Sequence, residues 1–276
     1  MAAELTTARV RVGCDFVFDV PAPVGAVFQV EPRSEPRQVA LEQSLTFEPA
    51  GGGRSVYQDT FGNTCSRLLV APGPFSLHYD ALFETPRLPD EIDLDAPEVP
   101  VAELPAEVLL YLMPSRFCLS DVLSDEAWSR FGSLPPGWRR VQAVVDSVNG
   151  HLAFGYGTSS PTYTAADAFA AGKGVCRDFA HLAISFCRAL NIPARYVFGY
   201  LPDIDVPPDP APMDFAAWME VWLGDRWWTF DPRNNAHRTG RVVIGRGRDA
   251  VDVAMVTTYG AANLTSMTVW ADEVIA

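Results

Sequence analysis

The sequence predicts an α+β fold, in which an antiparallel β-sandwich-like domain precedes a core of helices packed on an antiparallel sheet. Three observations predict it. Short alternating apolar runs fill residues 8–87, an acidic proline-rich segment follows, and helical periodicity then gives way to a hairpin. We therefore divide the 276 residues into a β-rich domain (1–87), a connector (88–105) and a core (106–276).

Short strands separated by turn residues are predicted for the first domain. Clusters of Gly, Pro and Asn, including 51–53 and 62–63, divide apolar runs at 9–12, 14–20, 26–30, 39–41, 44–47, 66–70 and 75–79. This spacing is typical of an antiparallel sandwich. The connector is rich in Pro, Asp and Glu and cannot build a core, so we expect a solvated surface segment.

Helices dominate the pattern after the connector. A helix begins with Ser124 and the acids that follow it, and a second runs from 135 to about 152 with valines at helical spacing. A short helix is predicted near 164–169, and a longer one runs to Leu190, where Asn191-Ile192-Pro193 stops it.

Two strands then form a predicted hairpin, at 215–223 and 226–231. A two-residue turn containing glycine joins them, which is a strong hairpin signal. In that register Trp218 opposes Asp231, and Ala216 shares their face. Asp231 is then a diagonal neighbour of position 216.

Cys176 lies where a glycine-rich loop meets the helix that ends at Leu190. A thiol at a helix N-terminus faces unpaired backbone N–H groups and the positive end of the helix dipole, and both favour the nucleophilic thiolate. The alternative is a small buried core residue, which is the usual role of a free cysteine.

Composition excludes several classes of function. The net charge of −13 argues against nucleic acid or an anionic membrane as partner. The five cysteines are scattered without a C-x-x-C pair and the four histidines do not cluster, so we expect no disulfide framework, no metal and no cofactor. The first nine residues lack the pattern of a signal peptide and no run could span a membrane, so we expect a cytoplasmic protein.

Three segments carry a family resemblance, which covers roughly residues 107–245. The segment 174–182 resembles the nucleophile motif of the transglutaminase-like proteins, 216–221 is similar to their His-Ala-Trp strand, and 229–232 to their Asp-Pro strand end. The resemblance implies a papain-like core, and the β-rich first domain resembles the one that precedes this core in many bacterial members.

The resemblance also implies a chemistry. Cys176 would attack a carboxamide, ammonia would leave, and the acyl group would pass to an amine or water; Asp231 would fix the tautomer of a histidine. The backbone N–H of Cys176 would contribute to an oxyanion hole. Gly174, Arg177, Asp214 and Trp218 are the candidate cleft residues, and the substrate would be a peptide, a protein or a small amide.

The sequence departs from the family pattern at one position, because Ala216 stands where the histidine is expected. His181 lies on the wrong helix face, His237 follows in a loop, and His151 ends a helix. Asp214 is a candidate carboxylate base, and Arg177 or Lys173 could favour the thiolate.

Two functions therefore stay open. One is a cysteine acyl-transfer or amide-hydrolysing protein with a non-standard or missing base. The other is an inactive pseudoenzyme whose cleft binds a peptide or protein partner. The oligomeric state is left open.

Overall fold

The computed structural model of the protein describes residues 7–50 and 52–275. The interpretation of residues 1–6 as free of a signal sequence, and the turn glycine at position 51, lie outside the described residues. The strands are β1 (Thr7–Val20), β2 (Val24–Phe28), β3 (Val39–Glu48), β4 (Gly52–Gln58), β5 (Thr64–Val70), β6 (Gly73–Pro86), β7 (Ala153–Phe154), β8 (Lys173–Gly174), β9 (Ala194–Tyr200), β10 (Ala216–Leu223), β11 (Arg226–Phe230), β12 (Val242–Gly247), β13 (Val256–Thr258) and β14 (Asn263–Glu273). The α-helices are α1 (Ser124–Phe131), α2 (Trp138–His151), α3 (Ala165–Ala171) and α4 (Cys176–Ala189), and 3-10 helices span Val101–Glu103 and Ala106–Leu112. Among the described helices, none combines the length and the apolar character needed to span a bilayer.

Two antiparallel sheets form the β-rich part, as the sequence predicts. Their strand orders are β14-β1-β6-β3 and β13-β2-β5-β4. They pack through phenylalanines: the ring of Phe28 on β2 lies 6.1 Å from Phe18 on β1 and 6.0 Å from Phe75 on β6. The alternating burial along β1 and β6 places the apolar residues between the sheets, which is the reason for the period-two pattern in the sequence.

The C-terminal segment joins these sheets rather than the core. Strand β14 pairs with β1 from Val10–Glu273 to Asp19–Asn263, and β13 pairs with β2. The predicted core at 106–276 therefore extends too far at its C-terminal end. Pairing between strands this distant in sequence leaves no local signal. β14 is an edge strand, and β1 is its neighbour in the sheet.

The core has four antiparallel strands in the order β11-β10-β9-β12, with helices packed on them. Helix α4 lies against β10 and β9, while α1, α2 and α3 pack on α4. Its residues from Asp178 to Arg188 are buried, because they are surrounded by the sheet and the other helices. Asn191 ends the helix in a left-handed conformation with φ 64°. This arrangement confirms the predicted α+β core.

Polar contacts join the core to the β-rich part. Tyr200 Oη donates to the carbonyl of Val30 at 3.1 Å, and Gln38 exchanges two hydrogen bonds with the backbone of Val243 at 2.9 and 2.7 Å. The connector is also bonded: Arg241 Nε donates to Asp90 at 2.9 Å, and Arg140 pairs with Glu98 at 3.0 Å. Asp90 and Glu98 of the connector thus pair with arginines of the core, so the connector is not wholly the solvated segment that the sequence predicts.

Several strands carry no clear sequence signal. β4, β7, β8 and β12 to β14 have no counterpart among the predicted strands, and Gly245 lies in β12. A Cβ atom on Gly245 would lie 2.5 Å from Val253 Cγ1, so the glycine permits the chain after β12 to approach the strand.

Candidate functional site

Cys176 is the first residue of α4, where the sequence predicts it. Asp178 caps the helix: its Oδ2 accepts the N–H of Val175 at 2.9 Å. Gly174 is required by this cap, because a Cβ atom there would lie 2.6 Å from the Cβ of Asp178. The glycine before the nucleophile therefore has a packing reason and does not itself line the cleft.

Cavities on two sides of Cys176 share part of their lining. One, of about 150 Å³, is bordered by Tyr156, Asp209 and Arg233; the other, of about 620 Å³, by Phe117 and Phe198. The residues common to both are Cys176, Asp214, Phe215, Ala216 and Ala217. The half-buried thiol of Cys176 donates to the carbonyl of Phe215 at 3.8 Å. The structure thus places Cys176, Asp214 and Ala216 together.

The thiol is not pre-ionised. Burial, followed by the nearby carboxylate of Asp214, raises the pKa of Cys176 to about 11. The backbone N–H of Ala217, the cation of Arg233 and the N–H of Arg177 act in the opposite direction and do not outweigh burial. The helix terminus alone therefore does not yield the thiolate that its position predicts.

Among the carboxylates of the cleft, Asp214 is the one best suited to act as a base. Burial raises its pKa, and the N–H of Phe215, donated to Oδ1 at 2.7 Å, only partly offsets this. Among the described residues it has no ion-pair partner within 4.0 Å, whereas its cleft neighbours Asp203 and Asp209 pair with Arg238 and Arg233. Asp214 can therefore accept or donate a proton beside the thiol.

Asp231 is held away from this chemistry by two other residues. Its Oδ1 accepts the backbone N–H of Asn234 at 2.9 Å, and its Oδ2 accepts Asn234 Nδ2 at 2.8 Å and Arg241 Nη2 at 2.9 Å. Asp231 is 5% exposed and lines neither cavity that contains Cys176. With Ala216 in the histidine position, the amide of Asn234 and the guanidinium of Arg241 donate to the carboxylate oxygens of Asp231 to which an imidazole N–H would otherwise donate.

Trp218 lies on a different surface from the one predicted. The hairpin register is confirmed, since the ladder runs from Leu223–Arg226 to Met219–Phe230. Trp218 is nevertheless 1% exposed, and the guanidinium of Arg241 covers its ring at 4.7 Å. It borders a separate cavity between the core and the β-rich part. On the face that the register predicts, Trp218 is therefore packed away from Cys176, whereas Ala216, at the start of β10, lines both cavities that contain the thiol.

None of the four histidines, all in the described ranges, lines a cavity that contains Cys176. His181 is fully buried, as its helix face predicts; its Nε2 accepts the N–H of Ala250 at 3.1 Å. His237 and Asp231 line another cavity, which does not contain Cys176. His78 pairs with Asp15, and His151 contacts the carbonyl of Phe169.

Of the two basic residues predicted near the thiol, Arg177 lines the larger cavity together with Cys176. Arg177 is engaged by the preceding loop, where Nη2 donates to Ser159 Oγ at 2.8 Å and to the carbonyl of Ser160 at 2.7 Å. Lys173 is exposed on β8 and lines neither cavity. Arg233 is the cation that acts on Cys176. Sequence reasoning missed Arg233 and Asn234, although both lie within three positions of Asp231 and a turn there would bring them close to the site.

Comparison with known proteins agrees with this architecture. A sequence model described as the transglutaminase-like superfamily matches residues 130–232. The crystal structure of a candidate cysteine protease from Cytophaga hutchinsonii superposes with a TM-score of 0.88 at 30% sequence identity, covering 98% of this chain and 92% of that one.

Relatives in mycobacteria include the uncharacterized protein ML0607 of Mycobacterium leprae, 41% identical over 101 residues. That match covers 36% of this chain and 36% of ML0607. Rv2569c of Mycobacterium tuberculosis is 28% identical over 244 residues, covering 80% of this chain and 77% of that protein. All of these relatives are bacterial. The family match and the structural similarity support a general cysteine-enzyme-like function. The chain belongs to the transglutaminase-like superfamily.

Proposed function

We propose that the protein is a cysteine acyl-transfer or amide-hydrolysing enzyme in which Cys176 is the nucleophile and Asp214 moves the proton. The observation that carries the proposal is the shared cleft: the thiol and a carboxylate without an ion-pair partner in the described residues line the same two cavities. The candidate cysteine protease from Cytophaga hutchinsonii supports the use of the thiol.

The proposed reaction begins with a neutral thiol. As the sulfur of Cys176 bonds to the carbonyl carbon, its proton passes to the carboxylate of Asp214, so no free thiolate accumulates. Asp214 then returns the proton to the nitrogen while the carbon–nitrogen bond breaks and an amine or ammonia leaves. Water or a second amine attacks the thioester, gives up a proton, and releases Cys176 as a thiol.

The electrostatics predict a slow enzyme. A raised pKa makes Asp214 a stronger base than an ordinary carboxylate, but the thiol pKa of about 11 still exceeds it, so proton transfer is uphill. The backbone N–H of Cys176, the first residue of α4, has no acceptor within the helix and can stabilise the oxyanion. We expect substrates with reactive carbonyl groups, thioesters included, to turn over faster than simple amides.

Variants of the two residues test this proposal. The assay follows ammonia release and incorporation of a fluorescent amine across a panel of glutamine peptides and acyl thioesters. We expect Cys176→Ser to abolish turnover and Asp214→Asn to lower it by about 10²–10⁴-fold, the usual contribution of general acid–base catalysis. Asp205→Asn, a surface carboxylate outside both cavities, is the matched control. Unchanged turnover in Asp214→Asn would exclude its proposed role.

A second candidate function is a non-catalytic cleft that binds a peptide or protein partner. One observation favours it: Asp231, the acid of the family pattern, is fully engaged by Asn234 and Arg241. Binding of a partner needs the cleft but not the thiol. If the full panel gives no Cys176-dependent turnover while a peptide from it still binds to Cys176→Ser, this second function is the correct one.

A further inference from the structure

The larger cavity beside Cys176 is mainly apolar. Its volume is about 620 Å³, within the range of small-molecule sites. The side chains that give it this character are Phe117, Tyr196, Phe198, Val251, Val253 and Met255. Cys176 forms part of its wall, so a group that fills the cavity lies against the sulfur.

The smaller cavity on the other side of Cys176 has charged side chains in its wall. Asp203 pairs with Arg238 at 2.8 Å and Asp209 with Arg233 at 3.5 Å, so these charges balance within the wall. Asp214 borders both cavities. A substrate that lies across Cys176 therefore meets an apolar surface on one side and balanced charges on the other.

The apolar wall is built before any substrate arrives. Much of it is the segment 250–257 that follows β12, and hydrogen bonds fix its start. Asp249 Oδ2 accepts the N–H of Phe117 at 2.8 Å, and His181 Nε2 accepts the N–H of Ala250 at 3.1 Å. Asp249 and His181 are both almost fully buried, so the segment cannot collapse into the cavity without breaking bonds in the core.

On these grounds, and resting on the proposed function, we infer that the substrate carries a bulky apolar acyl group, which occupies this cavity while Cys176 attacks its carbonyl carbon. The amine part of the substrate lies toward the smaller cavity, whose wall carries the two ion pairs, and toward Asp214. Ala216 borders both cavities, and its small side chain leaves room between them for the scissile bond.

Alkylation of Cys176 tests the cavity without requiring turnover. The assay measures the rates at which iodoacetamide and N-hexyl iodoacetamide alkylate Cys176 at pH 9, and mass spectrometry identifies the labelled cysteine. Each rate is divided by the rate of the same reagent with glutathione, which removes the difference in intrinsic reactivity between the two reagents. We expect the hexyl reagent to be favoured about tenfold or more, because several methylene groups leave water and each contributes about 0.8 kcal/mol when fully buried.

Two matched variants locate the effect. Val251 is 54% exposed and lines the cavity, whereas Val122 is 64% exposed and lines none of the cavities described above. Val251→Asp should remove the hexyl preference and leave the iodoacetamide rate within about twofold, while Val122→Asp should change neither. Equal normalised rates for the two reagents in the unmodified protein, or equal loss of preference in both variants, would overturn the inference. A preserved hexyl preference without any Cys176-dependent turnover would refute the catalytic proposal alone.

Discussion

Restoring an imidazole at position 216 is the most direct test of the site. Ala216 lines the two cavities that contain Cys176, and the pKa of that thiol is raised to about 11. At pH 7 such a thiol is ionised to a fraction on the order of 10⁻⁴. An imidazolium from Ala216→His within a few ångströms should lower the thiol pKa by about two units, within the usual effect of an opposite charge.

The expected change in reactivity is smaller than the change in ionisation. Two units of pKa increase the thiolate population about 100-fold, but each thiolate becomes less nucleophilic, by about eightfold for a Brønsted coefficient near 0.45. The net gain in alkylation rate at pH 7 is therefore about tenfold. It persists only while the imidazole is protonated, so it declines as pH rises through the imidazole pKa.

The assay is the pH dependence of Cys176 alkylation by iodoacetamide between pH 6 and 11. The other cysteines (Cys14, Cys65, Cys118 and Cys187) are buried, and peptide mass spectrometry separates their labelling from that of Cys176. In the protein without substitution, the alkylation rate should increase steadily with pH and level off only near pH 11. Ala216→Gln controls for side-chain size without charge. A folded Ala216→His variant whose midpoint matches that of Ala216→Gln would refute the assumed proximity of position 216 and the sulfur.

Further predictions concern stability. Burial alone would raise the pKa of Glu220, but the charges of Arg195 and Arg246 outweigh it and lower the pKa to about 2, so this carboxylate stabilises the fold by about 3 kcal/mol above pH 4.5. That contribution should disappear as pH falls from about 4.5 to 2. In urea titrations at pH 7, Glu220→Gln should lower the free energy of unfolding by about 3–5 kcal/mol, whereas Glu103→Gln, at an exposed position, should leave it almost unchanged. Gly174→Ala should destabilise by about 1–3 kcal/mol because its Cβ would overlap Asp178, whereas Gly150→Ala in α2, with no atom within 4 Å of the new Cβ, should be neutral or slightly stabilising in thermal melts. Gly13→Ala should lower the melting temperature further, because its Cβ would lie 2.2 Å from the ring of Trp270 and from the carbonyl of Tyr79; a melting temperature equal to that of Gly150→Ala would contradict the tight packing of β1.

Features with a local cause could be predicted from the sequence. The helix that starts at Cys176 follows from apolar spacing and a stop at Pro193, and the hairpin register follows from its two-residue turn. The burial of His181 follows from its position five residues after Cys176 on the helix.

Features that depend on distant residues could not be predicted. The position of Cys176 at a helix N-terminus suggests that its pKa is lowered, but burial and the carboxylate of Asp214 raise the pKa instead. The hairpin register predicts that Trp218 shares a strand face with Ala216, yet only the tertiary structure shows that Arg241 covers the ring of Trp218. One hydrogen-bond partner of Asp231 is Arg241, which lies ten positions later in the chain and is not indicated by the residues around Asp231.

The pairing of β1 with β14 constrains the order in which the protein can fold on the ribosome. Thr265 donates to the carbonyl of Val17 across 248 positions of sequence. At the usual 5–20 residues per second, β14 is synthesised about 12–50 s after β1. During that interval β1 can pair with β6, but its other edge stays open and offers unpaired N–H and C=O groups. The nascent chain therefore passes through a period in which this edge can pair with other chains, and a chaperone that covers it should improve the yield of folded protein.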